Sequence, residues 1–228
     1  MGETMAVGAV AESWVRAGRG RSPADAVWVT DRIFALADGT DDDHRSGTEA
    51  LRQVRRLLRP MANPRDVAGT LRAVNFALWS EGSGGVASTI TLAVWLGSYL
   101  VVGHIGDSRA YLVRGGEVHV LTTDHGDGMD DDRVLRVGMR QASPVPQLML
   151  RRVLAGDRLV LCTDGLWRSI VHRDLLRVAR CSAKVAGSML RRLVPAGDED
   201  AAAVVVAFDD DRDTSDGTAT AHRSREAS

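Results

Sequence analysis

Short apolar runs separated by polar turns predict β-strands along most of the chain. Two of these runs flank Asp31-Arg32 as the arms of a hairpin would. The predicted strands lie at 27–30, 33–37, 87–96, 99–105, 110–114, 118–122, 149–153, 158–162 and 204–208. Gly97-Ser98 and Gly115-Gly116 have the length of two-residue hairpin turns, so we interpret the four strands between 87 and 122 as an antiparallel meander.

Apolar residues at helical spacing predict four helices. They lie at 48–58, 65–79, 173–179 and 184–193. In the first helix Leu51, Val54 and Leu58 share one stripe, and Pro64 stands where proline is favoured at the start of the second. Because the strands arrive in antiparallel groups and the helices in pairs, the pattern favours an α+β layered sandwich over a parallel βαβ fold.

Composition limits the classes of function. With 228 residues, 44% of them hydrophobic, the chain can form one compact domain. Its net charge of -1 argues against a protein that coats nucleic acid or an anionic membrane. No run reaches the ~18 apolar residues of a membrane span, and no basic stretch precedes an apolar signal core. We therefore expect a cytoplasmic protein without membrane or nucleic-acid partners.

Two further features concern redox state and the C-terminus. Cys162 lies in a strand-like run and Cys181 in a helix-like run, so we interpret both as small buried hydrophobic residues in a reducing compartment. From about Asp210 onward the chain has no apolar residue larger than alanine. Such a segment cannot bury enough surface to offset its ordering entropy, so we expect residues 210–228 to form a disordered tail.

Aspartates follow several of the apolar runs. Asp38, Asp107 and Asp164 each stand just past the end of a predicted strand. Carboxylates that meet at the rim of a sheet repel one another, and a divalent cation with oxygen ligands is the usual means of neutralising them. The pattern indicates a metal site. The alternative is that each Asp-Gly pair is simply a turn.

Two long segments carry a family resemblance. GHIGDSRAYLVRGGEVHVLTTDH at 103–125 and GDRLVLCTDGLW at 156–167 resemble the metal-dependent PPM family of protein serine/threonine phosphatases, the type 2C phosphatases. The similarity spans about 7–208, which implies a phosphatase domain at 1–209. It also implies a four-layer α-β-β-α sandwich, with two central antiparallel sheets between helical pairs, that binds two Mn²⁺ or Mg²⁺ ions.

The resemblance assigns metal ligands residue by residue. Asp38 resembles the carboxylate that bridges the two metals, and the carbonyl oxygen of Gly39 resembles a second ligand. Asp164 and Asp200 match the remaining ligands of the first metal. A hydroxide held between the metals would be the nucleophile. Asp107 matches a residue linked to a weaker third metal; the alternative is a structural ion pair with Arg109.

The beginning of the chain departs from the family pattern. The family usually has Arg, two residues, Asn, Glu and Asp here, whereas this chain reads GRGRSPADAV. Ala24 stands in place of the Glu and only Asp25 remains, so the second metal would be held more weakly. Arg19 or Arg21 would clamp the phosphate, although the spacing fits neither perfectly. Arg21 is the candidate, and a solvated loop arginine is the alternative.

Further departures surround the site. The family's DGMGGH becomes DGTDDDH, in which His44 is the candidate general acid or else an exposed loop histidine. Asp41, Asp42 and Asp43 substitute in part for the missing Glu or form a solvated acidic loop. Arg168 stands where many relatives carry an acid, which disfavours a third metal. The segment 125–151 is short for the family's flap, which would leave the pocket more open.

These observations predict a function and its rivals. The resemblance implies a monomeric, metal-dependent phosphatase that hydrolyses phosphoserine and phosphothreonine in a phosphoprotein, linked to a serine/threonine kinase. Ala24 and the altered loop before His44 favour a rival, a catalytically weak or inactive module that binds phosphoprotein. The open pocket alone favours a third possibility, a hydrolase of small phosphoesters.

Overall fold

The residues that the structure describes form two five-stranded sheets and five helices. The computed structural model describes residues 7–20, 22–39, 45–59, 63–80, 87–126, 136–138 and 144–210. The strands are β1 (Val7–Arg16), β2 (Ala26–Val29), β3 (Ile33–Ala37), β4 (Ile90–Trp95), β5 (Tyr99–Ile105), β6 (Arg109–Arg114), β7 (Glu117–Val120), β8 (Gln147–Arg152), β9 (Asp157–Cys162) and β10 (Ala201–Asp210). The helices are α1 (Ser46–Leu57), α2 (Pro64–Ser80), α3 (Asp164–Trp167), α4 (His172–Val178) and α5 (Ala183–Leu193).

Both sheets are antiparallel throughout. We call the sheet with the order β1-β10-β9-β6-β7 sheet A, and the sheet with the order β2-β3-β4-β5-β8 sheet B. In sheet A the longest pairing joins β1 to β10, from Val7 opposite Asp210 to Arg16 opposite Ala201. Chain neighbours β2 and β3, and likewise β4 and β5, pair as hairpins in sheet B. This pairing confirms the predicted hairpin around Asp31.

Alternation along β10 explains why the sheets stack and why helices cover them. Val204, Val206 and Phe208 face sheet B and pack with Phe34 and its neighbours in the central core. The intervening residues of β10, such as Val205, face the other way and pack against α4 and α5. Helices α1 and α2 cover the outer face of sheet B through a third apolar core. The result is the predicted four-layer α-β-β-α sandwich.

The structure corrects three sequence predictions. The predicted four-strand meander is wrong, because β5 belongs to sheet B and β6 to sheet A. The chain changes sheets at Gly106, whose φ of +123° turns the backbone out of β5. Strand β1 and the short helix α3 were not predicted, and β10 extends through Asp210, the residue at which disorder was expected to begin. The remainder of the predicted tail, residues 211–228, lies outside the described residues.

Two smaller findings complete the fold. Cys162 is buried in β9 and Cys181 lies between α4 and α5 rather than in a helix; both are free thiols. Within the described ranges, no helix is long and apolar enough to cross a membrane.

Candidate metal centre

The strand ends bring five aspartates to one edge of the sandwich. In sheet B, Ala37 at the end of β3 pairs with Ala26 at the start of β2. In sheet A, Cys162 at the end of β9 pairs with Ala203 near the start of β10. The aspartates that adjoin strand ends at this edge are Asp25, Asp38, Asp107, Asp164 and Asp200. We call this the acidic edge.

The backbone of Asp38 is fixed by hydrogen bonds to the residues before β4. Its N–H donates to the Thr89 hydroxyl at 3.1 Å, and its carbonyl accepts from the Thr89 N–H at 2.9 Å and from the Ser88 hydroxyl at 2.8 Å. The Thr89 hydroxyl also lies 2.7 Å from that of Ser108, the neighbour of Asp107. These bonds connect the segments that carry Asp38 and Asp107.

Gly39 is required by the close approach of three chain segments. A Cβ at this position would lie 2.6 Å from the carbonyl oxygen of Ala24 and 2.8 Å from the backbone nitrogen of Gly47. Gly47 in turn donates its N–H to that Ala24 carbonyl at 3.2 Å. The start of α1 and the β1–β2 connection therefore both pack against the turn that follows Asp38.

Asp200 holds the β1–β2 connection against sheet A. One carboxylate oxygen accepts from the N–H of Gly18 and the other from the N–H of Ala24, both at 2.7 Å. The backbone of Asp200 also lies directly against Gly165, where a Cβ would come within 2.0 Å of the Asp200 carbonyl oxygen. Asp164, the residue before Gly165, is thereby placed beside Asp200.

Asp25 lies in the centre of the acidic edge. It is 4% exposed, and its carboxylate accepts a hydrogen bond from the Thr163 hydroxyl at 2.9 Å. The pKa of Asp25 is raised from 3.8 to about 7, chiefly by burial and further by the negative charges of Asp200 and Asp164. A hydrogen bond with Asp38 acts in the opposite direction. Asp25 thus shares the edge with three of the predicted ligands.

The electrostatics of Asp38 support the same arrangement. Its pKa is raised well above the ordinary value, first by loss of hydration and then by the charges of Asp25, Asp164 and Asp107. The charge of Arg136 partly offsets this effect. Arg136 is 9% exposed, and its neighbour Val137 bridges to Ser88, which itself bridges to Gly39. The acidic edge therefore has one buried arginine near Asp38.

A second arginine contacts Asp164 directly. The guanidinium of Arg168 lies 3.1 Å from the Asp164 carboxylate and 3.7 Å from that of Glu199. As the side chains lie, no three acidic, histidine or cysteine residues in the described part of the chain are arranged to hold a metal ion. Asp164 faces Arg168 and Asp200 faces two backbone amides, so the carboxylates converge without pointing at one common position.

Asp107 and Arg109 do not form the ion pair that the sequence analysis considered as the alternative. Arg109 instead makes a two-pronged salt bridge with Asp124, at 2.8 Å for the shortest contact, and stacks on the Trp167 ring at 3.6 Å. Asp107 is 4% exposed, and its charge acts on Asp38. Asp107 therefore lies close to the predicted ligands rather than in a structural pair with Arg109.

Several predicted residues are not positioned by these observations. His44, Arg21 and the run Asp41 to Asp43 lie outside the described residues. Arg19 is exposed, and its backbone N–H donates to the Gly197 carbonyl at 3.0 Å. The predicted flap is described only in part, at its two ends and at 136–138.

Asp25 was matched to the aspartate that remains of the family motif but was not named as a ligand. Two other participants in the acidic edge were missed, Thr163 as the donor to Asp25 and Arg136 as a nearby cation. Thr163 could have been found, since it directly precedes Asp164. No feature of the sequence indicated Arg136, because its position depends on the tertiary contact between its neighbour Val137 and Ser88.

Comparison with known proteins gives concordant matches. The family profile described as Protein phosphatase 2C matches residues 63–208. Serine/threonine protein phosphatase PstP of Mycobacterium tuberculosis (strain ATCC 25618 / H37Rv) is 27% identical over an alignment 213 residues long that covers 80% of this chain and 41% of PstP. Protein phosphatase 2C 77 of Arabidopsis thaliana is 30% identical over an alignment 124 residues long that covers 42% of this chain and 29% of that protein. The chain thus spans less than half the length of these two relatives.

Solved structures show the same fold. The catalytic domain of PstP in complex with two manganese ions superposes with a TM-score of 0.78 at 24% identity, covering 90% of this chain and all of that one. MsPP from Mycobacterium smegmatis in complex with cacodylate superposes with a TM-score of 0.72 at 22% identity, covering 88% of this chain and 97% of the other. Because the family profile covers well over half of the residues, including all of β4 to β9, most of β10 and the Asp107, Asp164 and Asp200 positions, the chain belongs to the protein phosphatase 2C family.

Proposed function

We propose that the protein is a metal-dependent serine/threonine protein phosphatase that acts on phosphoserine and phosphothreonine. The observation that carries the proposal is the convergence of Asp25, Asp38, Asp164 and Asp200 at one edge, together with membership of the phosphatase 2C family. Carboxylates that repel one another at a buried edge favour a bound divalent cation, which neutralises their charge.

The donor set fits Mn²⁺ or Mg²⁺ in its chemistry. Both are hard cations that prefer oxygen ligands. We propose Asp38, the Gly39 carbonyl, Asp164 and Asp200 as ligands of two ions. Ala24 supplies no side-chain oxygen, so we expect the second ion to be the weaker one. One carboxylate oxygen of Asp164 lies 3.1 Å from Arg168, so the ion that Asp164 holds would lie near a positive charge.

We assign Asp107 to a weaker third metal. Its burial and its electrostatic interaction with Asp38 support a place near the other ligands. The ion pair formed by Arg168 opposes a third ion at the same edge, because it adds a positive charge beside Asp164.

Residues other than the ligands would hold the carboxylates in place and set the local charge. Thr163 and the amides of Gly18 and Ala24 hold Asp25 and Asp200 in place. Arg136 keeps positive charge near Asp38, where a substrate phosphate would approach. The metals would supply water activation at neutral pH and stabilise charge on the phosphoryl oxygens.

We further propose roles for two residues on sequence grounds alone. His44 would give a proton to the leaving oxygen of serine or threonine, a step suited to its pKa near neutrality. Arg21 would contact the phosphate through its planar guanidinium.

A His44→Ala variant should lose activity on a phosphothreonine peptide while retaining activity on an aryl phosphate, because an aryl oxide leaves without a proton.

The partners follow from the reaction. We propose a phosphoprotein substrate whose phosphate a serine/threonine kinase installs, and a protein that acts in the cytoplasm as a monomer. PstP carries the name of a serine/threonine protein phosphatase, which supports the substrate class. Light scattering of the purified protein with Mn²⁺ would test the oligomeric state directly.

The test is hydrolysis of a phosphothreonine peptide with and without Mn²⁺. We expect turnover that needs the metal, falls by at least about a hundredfold in Asp164→Asn, and persists in Asp31→Asn, a matched change in an exposed hairpin turn. Tight peptide binding without turnover at any metal concentration would support the regulatory module instead. Turnover of an aryl phosphate alone would support a small-phosphoester hydrolase.

A further inference from the structure

Arg168 is held beside a proposed metal ligand by three groups. One guanidinium nitrogen lies 3.1 Å from the Asp164 carboxylate and the other 3.7 Å from that of Glu199, the neighbour of Asp200. The guanidinium carbon also lies 5.5 Å from the centre of the Trp167 ring, within range of a cation–π contact. Arg168 thus connects the two segments that carry Asp164 and Asp200.

This arrangement places a positive charge beside one of the proposed metal ligands. A divalent cation coordinated by Asp164 would therefore lie close to a like charge. Coulomb repulsion between the two cations lowers the affinity for the metal.

We propose that Arg168 is a built-in counter-cation that sets the metal affinity of this site, so that the protein requires more free Mn²⁺ than it would without this arginine. The proposal rests on the proposed function, because it takes Asp164 as a ligand. It goes beyond that function by assigning a residue outside the ligand set to the control of metal occupancy.

The alternative is an ordinary surface ion pair. The Arg168 side chain is 44% exposed, and most exposed pairs at this spacing contribute little to stability. The chain offers a matched control in Arg177, which is 65% exposed and forms an ion pair with Asp174 at 3.5 Å on α4. Removing either side chain deletes one exposed arginine together with its ion pairing, which involves Asp164 and Glu199 for Arg168 and Asp174 for Arg177. Only Arg168 contacts a proposed ligand.

The experiment is calorimetric titration of Mn²⁺ into the metal-free protein. This titration measures the affinity for the metal and does not depend on catalysis. We expect Arg168→Met to bind Mn²⁺ about tenfold more tightly than the unaltered protein, because a like charge near the ion is removed while the apolar stem remains. Arg168→Lys should retain the original affinity, since the charge remains. Arg177→Met should also retain it.

An Arg168→Met variant that binds Mn²⁺ with unchanged or lower affinity would overturn the proposal, and so would an equal gain in Arg177→Met. Circular dichroism of each metal-free variant establishes that it is folded before titration. If the unaltered protein and all variants bind no Mn²⁺, the proposed function falls as well. If the unaltered protein binds Mn²⁺ and hydrolyses phosphopeptide, but Arg168→Met binds Mn²⁺ with the same affinity, only the role proposed for Arg168 is wrong.

Discussion

The Thr163 hydroxyl donates a hydrogen bond of 2.9 Å to the carboxylate of Asp25 across the gap between the two sheets. The same hydroxyl accepts from the Ala202 N–H at 2.8 Å, so it is held in position by β10. Both residues are buried. This contact joins the start of β2 in sheet B to the end of β9 in sheet A, immediately beside Asp164. The geometry of the acidic edge therefore depends on one threonine that is not itself a proposed ligand.

Replacing Thr163 by valine should destabilise the protein. Valine keeps the shape of the side chain but removes the donor to Asp25 and the acceptor of Ala202, which leaves buried polar groups without partners. We expect a loss of about 1–3 kcal/mol in the free energy of unfolding, measured by urea titration of the metal-free protein. Thr163→Ser retains the hydroxyl, so its free energy of unfolding should fall by less than that of Thr163→Val. Equal losses in the two variants would mean that the hydroxyl is not responsible.

Gly165→Ala should displace Asp164 from Asp200. The added Cβ would lie 2.0 Å from the Asp200 carbonyl oxygen, so one of the two segments has to move. We expect reduced thermal stability and weaker Mn²⁺ binding. Gly69→Ala is the matched control: it lies within α2 with nothing within 4 Å of the added carbon, and alanine there should stabilise the helix by about 0.5–1 kcal/mol. A Gly165→Ala variant as stable as the Gly69 variant would contradict the close packing of these segments.

The raised pKa of Asp25 predicts the pH dependence of the metal-free protein. Because this pKa is about 7 in the folded state and 3.8 as a model value, the folded chain holds a proton on Asp25 that the unfolded chain releases between these values. That proton stabilises the fold fully below about pH 4, and its contribution disappears as the pH rises through about 7. The free energy of unfolding should therefore fall from about pH 4 to about pH 7, by a few kcal/mol at most, and Asp25 should cause no further change above that range.

Asp25→Asn isolates this effect, because asparagine cannot titrate. The difference in stability between the unaltered protein and Asp25→Asn should change across the same pH range in denaturant titrations. A constant difference would show that Asp25 does not hold a proton in the folded state. Saturating Mn²⁺ should abolish the pH-dependent difference, since a bound cation favours the ionised carboxylates.

Ala24→Glu should restore an oxygen donor at the position where the family usually carries glutamate. Ala24 is 4% exposed at the acidic edge, so a carboxylate there adds a buried negative charge. We expect lower thermal stability without metal and a larger rise in melting temperature on adding Mn²⁺ than in the unaltered protein. Ala24→Gln has a similar size without the charge and should show a smaller rise. An identical response of the two variants would argue against a weakened second site.

Local patterns were sufficient to predict most of the architecture. Alternation in β10 and the helical stripe of α1 each specify a buried face, and these faces determine which layers stack. The change of sheet after β5 could not be predicted from pattern, because Gly97-Ser98 and the Gly106–Ser108 turn both follow an apolar run. Only tertiary packing distinguishes a hairpin from a crossing between sheets.

The site was predictable to the extent that its residues follow strands. Asp38 stands directly after β3, and Asp164 stands two residues after the end of β9, so sequence order places both near strand ends. The partners of the carboxylates were not predictable, since they come from distant segments. Asp200 accepts from Gly18 across 182 positions, and nothing in the local sequence of either residue indicates the contact.

The most direct test of the central claim is the location of bound metal. Crystals grown with Mn²⁺ should give anomalous-difference density at the acidic edge, in contact with the carboxylates of Asp38, Asp164 and Asp200 and with the Gly39 carbonyl. Density that lies elsewhere, or an acidic edge that binds no Mn²⁺ while Asp164 remains paired with Arg168, would contradict the account.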